Sequence, residues 1–187
     1  MSSGRALEIG AGVALLAAYA LHVTVLAGRG APTDALWMCH VASLLVALGL
    51  LVLRPELIAV GFLWQALGTP LWLLDLSQGG ELLATSLGTH LGGLAAGLFG
   101  VRRLGVPRGT WWRALFGLAG LLLLSRLVTP PAANVNLAFA VWPGWERLFP
   151  SHGAYLALLG AVAAATFVSL DATLHRSEPG TSTAPRG

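Results

Sequence analysis

The 187-residue chain is 56% hydrophobic and only 10% charged, with a mean hydropathy of +0.74, so it offers repeated apolar runs of the roughly 20 residues that cross a bilayer. That length holds one compact domain and leaves no room for a separate soluble catalytic unit. The net charge of +3 does not point to nucleic acid, because the eleven basic residues are scattered over the connections without a patch; all are arginine, which excludes a lysine Schiff base or a P-loop lysine. In chain order, a short polar start with Arg5 leads into an apolar run over 9–28. A signal peptide also begins this way, but the run is longer than the usual apolar region and carries His22, so it reads as a first span. Gly30, Pro32 and Thr33 make a tight connection, and Asp34 is placed to cap a second helix over 35–53.

Arg54-Pro55-Glu56 is a turn, and a third helix over 57–76 has Gln65 near its middle and a kink expected at Gly68-Thr69-Pro70. A fourth helix over 81–101 is polar in its first half (Thr85, Ser86, Thr89, His90). Gly92, Gly93 and Gly97 follow, small enough for close helix approach in lipid. A fifth helix covers 111–128, with Arg126 near its end. The longest connection, 129–150, contains Asn134, Asn136, Trp142 and Trp145, and loops of that length are usually functional or disordered. A sixth helix covers 152–170. The expected architecture is all-α: one six-helix transmembrane domain over 1–170 and a disordered polar tail over 171–187. Arg5, Arg54, Arg102, Arg103, Arg108, Arg113, Arg176 and Arg186 fall on one side, against Arg29, Arg126 and Arg147 on the other, which predicts that both termini are cytoplasmic.

With that orientation, His22, Cys39, His40, Asp75, His90, Arg126, Asn134, Asn136 and His152 all lie in the outer half. Cys39 sits five residues, or roughly 8 Å at the α-helical rise, below Asp34. Polar groups are expensive in hydrocarbon, so their collection at one depth implies a shared polar pocket opening outward. Cys39 is the only cysteine and cannot form an internal disulfide. A lone cysteine with histidines elsewhere in the chain is the pattern of a thiolate nucleophile and its base, although buried cysteines also pack simply as small hydrophobes. His90 lies one helical turn after Ser86, whose hydroxyl either bonds the imidazole or back-bonds to its own helix. His40 points about 100° away from Cys39 and is expected to touch a neighbouring helix. Asp75 and Arg126 are expected to pair at the rim, or Arg126 to hold a lipid phosphate. Trp37, Trp72, Trp142 and Trp145 read as interfacial anchors.

Several of these segments resemble the YwaF-like integral membrane family, whose distant eukaryotic relatives transfer acyl chains between phospholipids through a cysteine and a histidine. Ala35-Leu36-Trp37-Met38-Cys39 takes the place of a Leu-Pro-Leu-His-Leu-Cys type motif. Trp64-Gln65-Ala66-Leu67-Gly68-Thr69 resembles a Trp-Gly-x-x-Gly-Thr core, Thr89-His90-Leu91-Gly92 a Ser-His-Gly motif, and Asn134-Val135-Asn136-Leu137 an Asn-containing stretch before the last helix. The likeness runs in order from Asp34 to Leu170. It departs where Ala and Trp replace the Pro and His before the family cysteine, and where Gln65 replaces a glycine.

The resemblance implies a lipid acyltransferase of the bacterial cytoplasmic membrane, with membrane lipids as partners and no cofactor. His90 would take the proton of Cys39, a thioester would form, and Asn134, Asn136 or Ser86 would donate to the oxyanion, with His22 and Arg126 in support. A second expectation is a metal-dependent membrane hydrolase using His22, His90, His152 and Asp75, since Ser86-x-x-x-His90 resembles one motif of the hydrolases that include alkaline ceramidases; the paired His-x-x-x-His of that group is missing. The third is a non-enzymatic transporter subunit or assembly factor whose polar cluster binds a ligand or partner.

Overall fold

Each of the six apolar segments is helical in the computed structural model, which describes residues 3–176. The helices are α1 (Ser3–Gly28), α2 (Met38–Val52), α3 (Pro55–Ser77), α4 (84–104), α5 (Thr110–Val128) and α6 (His152–Arg176), and no strand occurs among the described residues. α1, α3, α5 and α6 are each long and apolar enough to cross a membrane, which makes this an integral membrane protein. α2 is shorter: its 15 residues rise about 22 Å, less than the hydrocarbon thickness of about 30 Å. A 3₁₀ turn, Pro32–Leu36, precedes it.

α3 is the central element, packing against α2, α4, α5 and α6. One apolar cluster joins Leu15 of α1, Val46 and Leu50 of α2, Ile58 and Phe62 of α3 and Val101 of α4. The other joins Met38, Leu63 and Trp64 to Ala114 and Leu121 of α5 and Ala163 and Phe167 of α6. At one end of the bundle, Arg103 Nε meets the nearly buried Glu8 carboxylate at 3.0 Å and ties the end of α4 to the start of α1. At the other end, Arg29 pairs with Glu81 at 2.6 Å. The outward faces of α5 and α6 stay bare, with Phe116, Leu123, Leu127 and Leu158 exposed, as expected of surfaces that meet lipid.

Several sequence expectations shift. Asp34 does not cap a helix over 35–53: the chain breaks at Trp37, whose ψ is 137°, and α2 starts at Met38. α4 starts at Ala84 because Glu81 is drawn to Arg29 and Leu83 is extended. α6 continues past Leu170 to Arg176, so 171–176 is helical, and the rest of the predicted tail, including Arg186, lies outside the described residues. Asp75 and Arg126 make no ion pair among the described residues; instead Arg126 Nε donates to the Ala138 carbonyl at 2.7 Å and pins the long connection.

Candidate functional site

The site begins at the first turn of α2. A helix start leaves backbone N–H groups without partners, and here the partner comes from 98 residues away: Met38 N–H donates to Asn136 Oδ1 at 2.7 Å. Asn136 is held in turn, its Nδ2 donating to the Leu36 carbonyl at 2.8 Å and to Ser125 Oγ at 2.9 Å. Its backbone sits in the left-handed region (φ 55°), where asparagine is tolerated better than most residues. The long connection thereby fixes where α2 starts, and Cys39 becomes its second residue rather than lying five residues inside a helix.

The facing group is built by a defect in α4. Between the α-helical pieces Ala84–Leu87 and Gly93–Leu104 lies a π-helical turn, Gly88–Gly92, a feature that recurs at functional sites. It carries His90 inward, with Nε2 3.0 Å from Cys39 Sγ. His90 Nδ1 is 2.9 Å from the Ser86 carbonyl, which can only accept, so Nδ1 bears the proton and the Nε2 lone pair is aimed at the sulfur. The ring stacks on Trp72 at a centroid distance of 4.3 Å. The orientation of the ring thus comes from a backbone carbonyl and an aromatic face.

Gln65, fully buried in the middle of α3, joins the two halves. Its Nε2 lies 2.8 Å from the Cys39 carbonyl, 2.9 Å from the Thr89 carbonyl and 2.6 Å from Ser43 Oγ. Thr69 Oγ1 donates to its Oε1, which fixes the amide's orientation. Ser43 Oγ also donates to the Thr89 carbonyl, at 2.5 Å. A π turn disturbs the regular backbone ladder, and these side chains meet a carbonyl that lipid could not satisfy. Close approach is required as well: a Cβ on Gly68 would come within 3.2 Å of that of Cys39, and one on Gly93 within 2.5 Å of Gln65 Nε2 and Ser43 Oγ.

Behind this pair runs a second polar string. Thr85 Oγ1 lies 2.8 Å from His22 Nδ1, His22 Nε2 3.1 Å from His40 Nε2, and His40 Nδ1 2.7 Å from the Asp34 carbonyl. The carbonyl at the end sets the direction: His40 donates from Nδ1 and accepts at Nε2 from His22, which accepts from Thr85. Burial holds the Asp34 carboxyl above its ordinary range. A ring nitrogen of His40 also approaches the first pair: Cys39, His40 and His90 each place one ligand atom within 4.8 Å of the others, and this is a metal-capable group among the described residues. All three line a cavity of about 740 Å³ whose remaining wall is largely apolar, with Leu115, Leu118 and Leu122 of α5 and Leu156 and Leu159 of α6. Its size is within the range of about 300–1,000 Å³ common to small-molecule sites.

Of the residues singled out in the sequence, Cys39 and His90 come together, and His22 joins them through His40, which meets α1 as expected but, against its expected direction away from Cys39, also brings a ring nitrogen to the pair. Ser86 contributes its carbonyl; its hydroxyl back-bonds to Leu83 O at 2.6 Å and is not free for an oxyanion. Both N–H bonds of Asn136 are occupied, so it positions α2 and is no oxyanion donor. Asn134 closes its own loop, accepting from Phe139 and Ala140 N–H and donating to the Ala140 carbonyl. Arg126 is not part of the cavity wall. His152 Nε2 donates to the Leu137 carbonyl and shares no ligand cluster with His22, His90 and Asp75 among the described residues. Trp72 stacks on His90, a contact that the sequence did not reveal. Gln65, Ser43 and Thr69 were missed as site residues; the signal was available, since buried polar side chains inside apolar spans usually have a purpose. No protein-family model, curated protein or solved structure matches the chain.

Proposed function

We propose that the protein is a membrane-embedded acyltransferase acting on lipid esters, with Cys39 as nucleophile and His90 as base. In this reading all six helices cross the bilayer, both termini are cytoplasmic, and the site lies in the outer half. The arginine distribution supports that orientation, as does the Glu8–Arg103 ion pair, which brings together two chain segments assigned to the same side.

The observation that carries the reading is the 3.0 Å contact of Cys39 Sγ with a His90 Nε2 left unprotonated by the Ser86 carbonyl, inside a large apolar cavity. His90 Nε2 takes the thiol proton, and the thiolate attacks the ester carbonyl carbon. The resulting oxyanion collapses, the ester C–O bond breaks, and His90 returns the proton to the departing alkoxide, leaving a thioester on Cys39. An acceptor hydroxyl then loses its proton to His90 and attacks the thioester, and the thiolate leaves and is reprotonated. Because Cys39 stands at the start of α2, anionic species form at the positive end of a helix. The leucines of α5 and α6 would hold the acyl chain. The resemblance to YwaF-like proteins points to the same pair of residues.

Incubation of the purified protein with phospholipid vesicles is expected to add one acyl mass at Cys39, removable by hydroxylamine and absent in Cys39→Ala. Full acyl transfer by Cys39→Ala would remove the thioester mechanism. No observation favours a metal hydrolase built on His22, His90, His152 and Asp75, because His152 is held elsewhere by Leu137.

A further inference from the structure

We infer that Cys39, His40 and His90 form a binding site for a zinc-class transition-metal ion, and that the ion switches the site off. The three ligand atoms lie within 4.8 Å of one another, and they come from two helices held together through Gln65. A tetrahedral zinc ion with sulfur at about 2.3 Å and nitrogen at about 2.0 Å sets its ligands about 3.4 Å apart, so small side-chain rotations close the set. One thiolate and two imidazoles are a donor set for borderline-soft ions such as Zn²⁺ or Co²⁺, not for Mg²⁺ or Ca²⁺.

The surroundings add a second, independent argument. Histidine ligands usually donate their other ring N–H to a carbonyl or carboxylate, which fixes the tautomer and the direction of the lone pair. Both histidines already do so: His90 Nδ1 faces the Ser86 carbonyl at 2.9 Å and His40 Nδ1 the Asp34 carbonyl at 2.7 Å. Loading exchanges the His22 N–H on His40 Nε2 for the ion, and the Cys39 thiol gives its proton to water. The fourth position faces the cavity.

The metal site stands without the acyltransferase reading; its effect on activity rests on that reading. An ion there occupies both the nucleophile and the lone pair of the base, so thioester formation stops until the ion is removed.

The test uses the full chain in detergent, where Cys39 is the only thiol. One equivalent of Co²⁺ is expected to give a thiolate-to-cobalt charge-transfer band and a tetrahedral ligand-field spectrum. Zn²⁺ is expected to slow alkylation of Cys39 by iodoacetamide at least tenfold, with EDTA restoring the rate and Mg²⁺ having no effect. His40→Gln is expected to raise the Zn²⁺ concentration for half-protection at least tenfold; should that variant fail to fold, the cobalt spectrum of the unaltered protein decides. Absence of the band, an alkylation rate indifferent to Zn²⁺, or equal protection in His40→Gln would each overturn the site. A hydroxylamine-sensitive acyl adduct formed in EDTA without any protection by Zn²⁺ would end the metal proposal and keep the acyltransferase, whereas protection without an adduct would do the reverse.

Discussion

Over its most apolar window α3 is 56% buried within the protein, whereas α5 and α6 are each 17% buried over theirs. All three are apolar enough to cross a bilayer, so hydrophobicity does not decide which of them lies inside. In lipid an apolar side chain gains little by leaving one apolar surroundings for another, and helices are sorted by small residues that let backbones meet and by polar groups needing partners. α3 has both: Gly61 and Gly68 against α2, and Gln65 and Thr69 bonded within the core. α5 and α6 present leucines to the cavity on one side and to lipid on the other. α2, α3 and α4 therefore hold Cys39 and His90 in place, while α5 and α6 supply much of the cavity wall, the space a substrate would fill in the proposed acyltransferase.

Substitutions in the two groups should separate accordingly, and the largest effect is expected at the pair itself. His90→Ala removes the proposed base and should slow thioester formation at Cys39 by about 10² to 10⁴, with helical content by circular dichroism unchanged. Shortening a leucine of the α6 wall, as in Leu159→Ala, should alter which acyl chain length is preferred while the rate with the best chain stays within about tenfold. If His90→Ala and Leu159→Ala lost comparable activity, the separation of roles would be wrong.

Next is Gln65→Leu. It leaves the Cys39 and Thr89 carbonyls to share the single hydroxyl of Ser43, at an expected cost of about 1–3 kcal/mol in thermal unfolding in detergent. Because Gln65 ties the helix of Cys39 to that of His90, the proposed thioester rate should also fall about tenfold to a hundredfold. A merely structural role would lower stability and leave the rate per folded molecule untouched. Asn136→Ala should cost somewhat less, about 0.5–2 kcal/mol, as the loss of a helix cap, with a smaller rate defect as the first turn of α2 frays around Cys39.

The order of these effects matches what the sequence made legible. Apolar runs of bilayer length gave six helices nearly in register, because that signal is local and strong. A shared polar pocket followed from polar residues gathering at one depth, while the pairing of Cys39 with His90 was implied by the resemblance to YwaF-like proteins. The true start of α2 was hidden, since the group that sets it, Asn136, is 98 residues downstream of Met38. The π turn at Gly88–Gly92 was hidden too, because it depends on carbonyl partners from α2 and α3 and leaves no periodic trace in α4. Gln65 stood in view as a polar residue in an apolar helix and as a departure from a glycine, but only the hydrogen bonds reveal that it links Cys39 with Thr89.

The finest probe of the comparison is a pair of glycines on the two kinds of helix. A methyl group on Gly68 of α3 would come 3.1 Å from Met38 Cε and 3.2 Å from Cys39 Cβ, tighter than ordinary contact, whereas one on Gly160 of α6 would meet nothing within 4 Å. Met38 Cε ends a flexible side chain and can move, but Cys39 Cβ is fixed by the first turn of α2, so the shift falls on Cys39. Gly68→Ala should therefore lower the proposed thioester rate about threefold to tenfold through a displacement of a few tenths of an ångström, while Gly160→Ala, at the cavity wall, should alter only which chain length is preferred, leaving the rate with the best chain unchanged and thermal stability no lower. Equal effects of the two alanines, in either direction, would mean that the spacing between α2 and α3 is not what sets the Cys39–His90 distance.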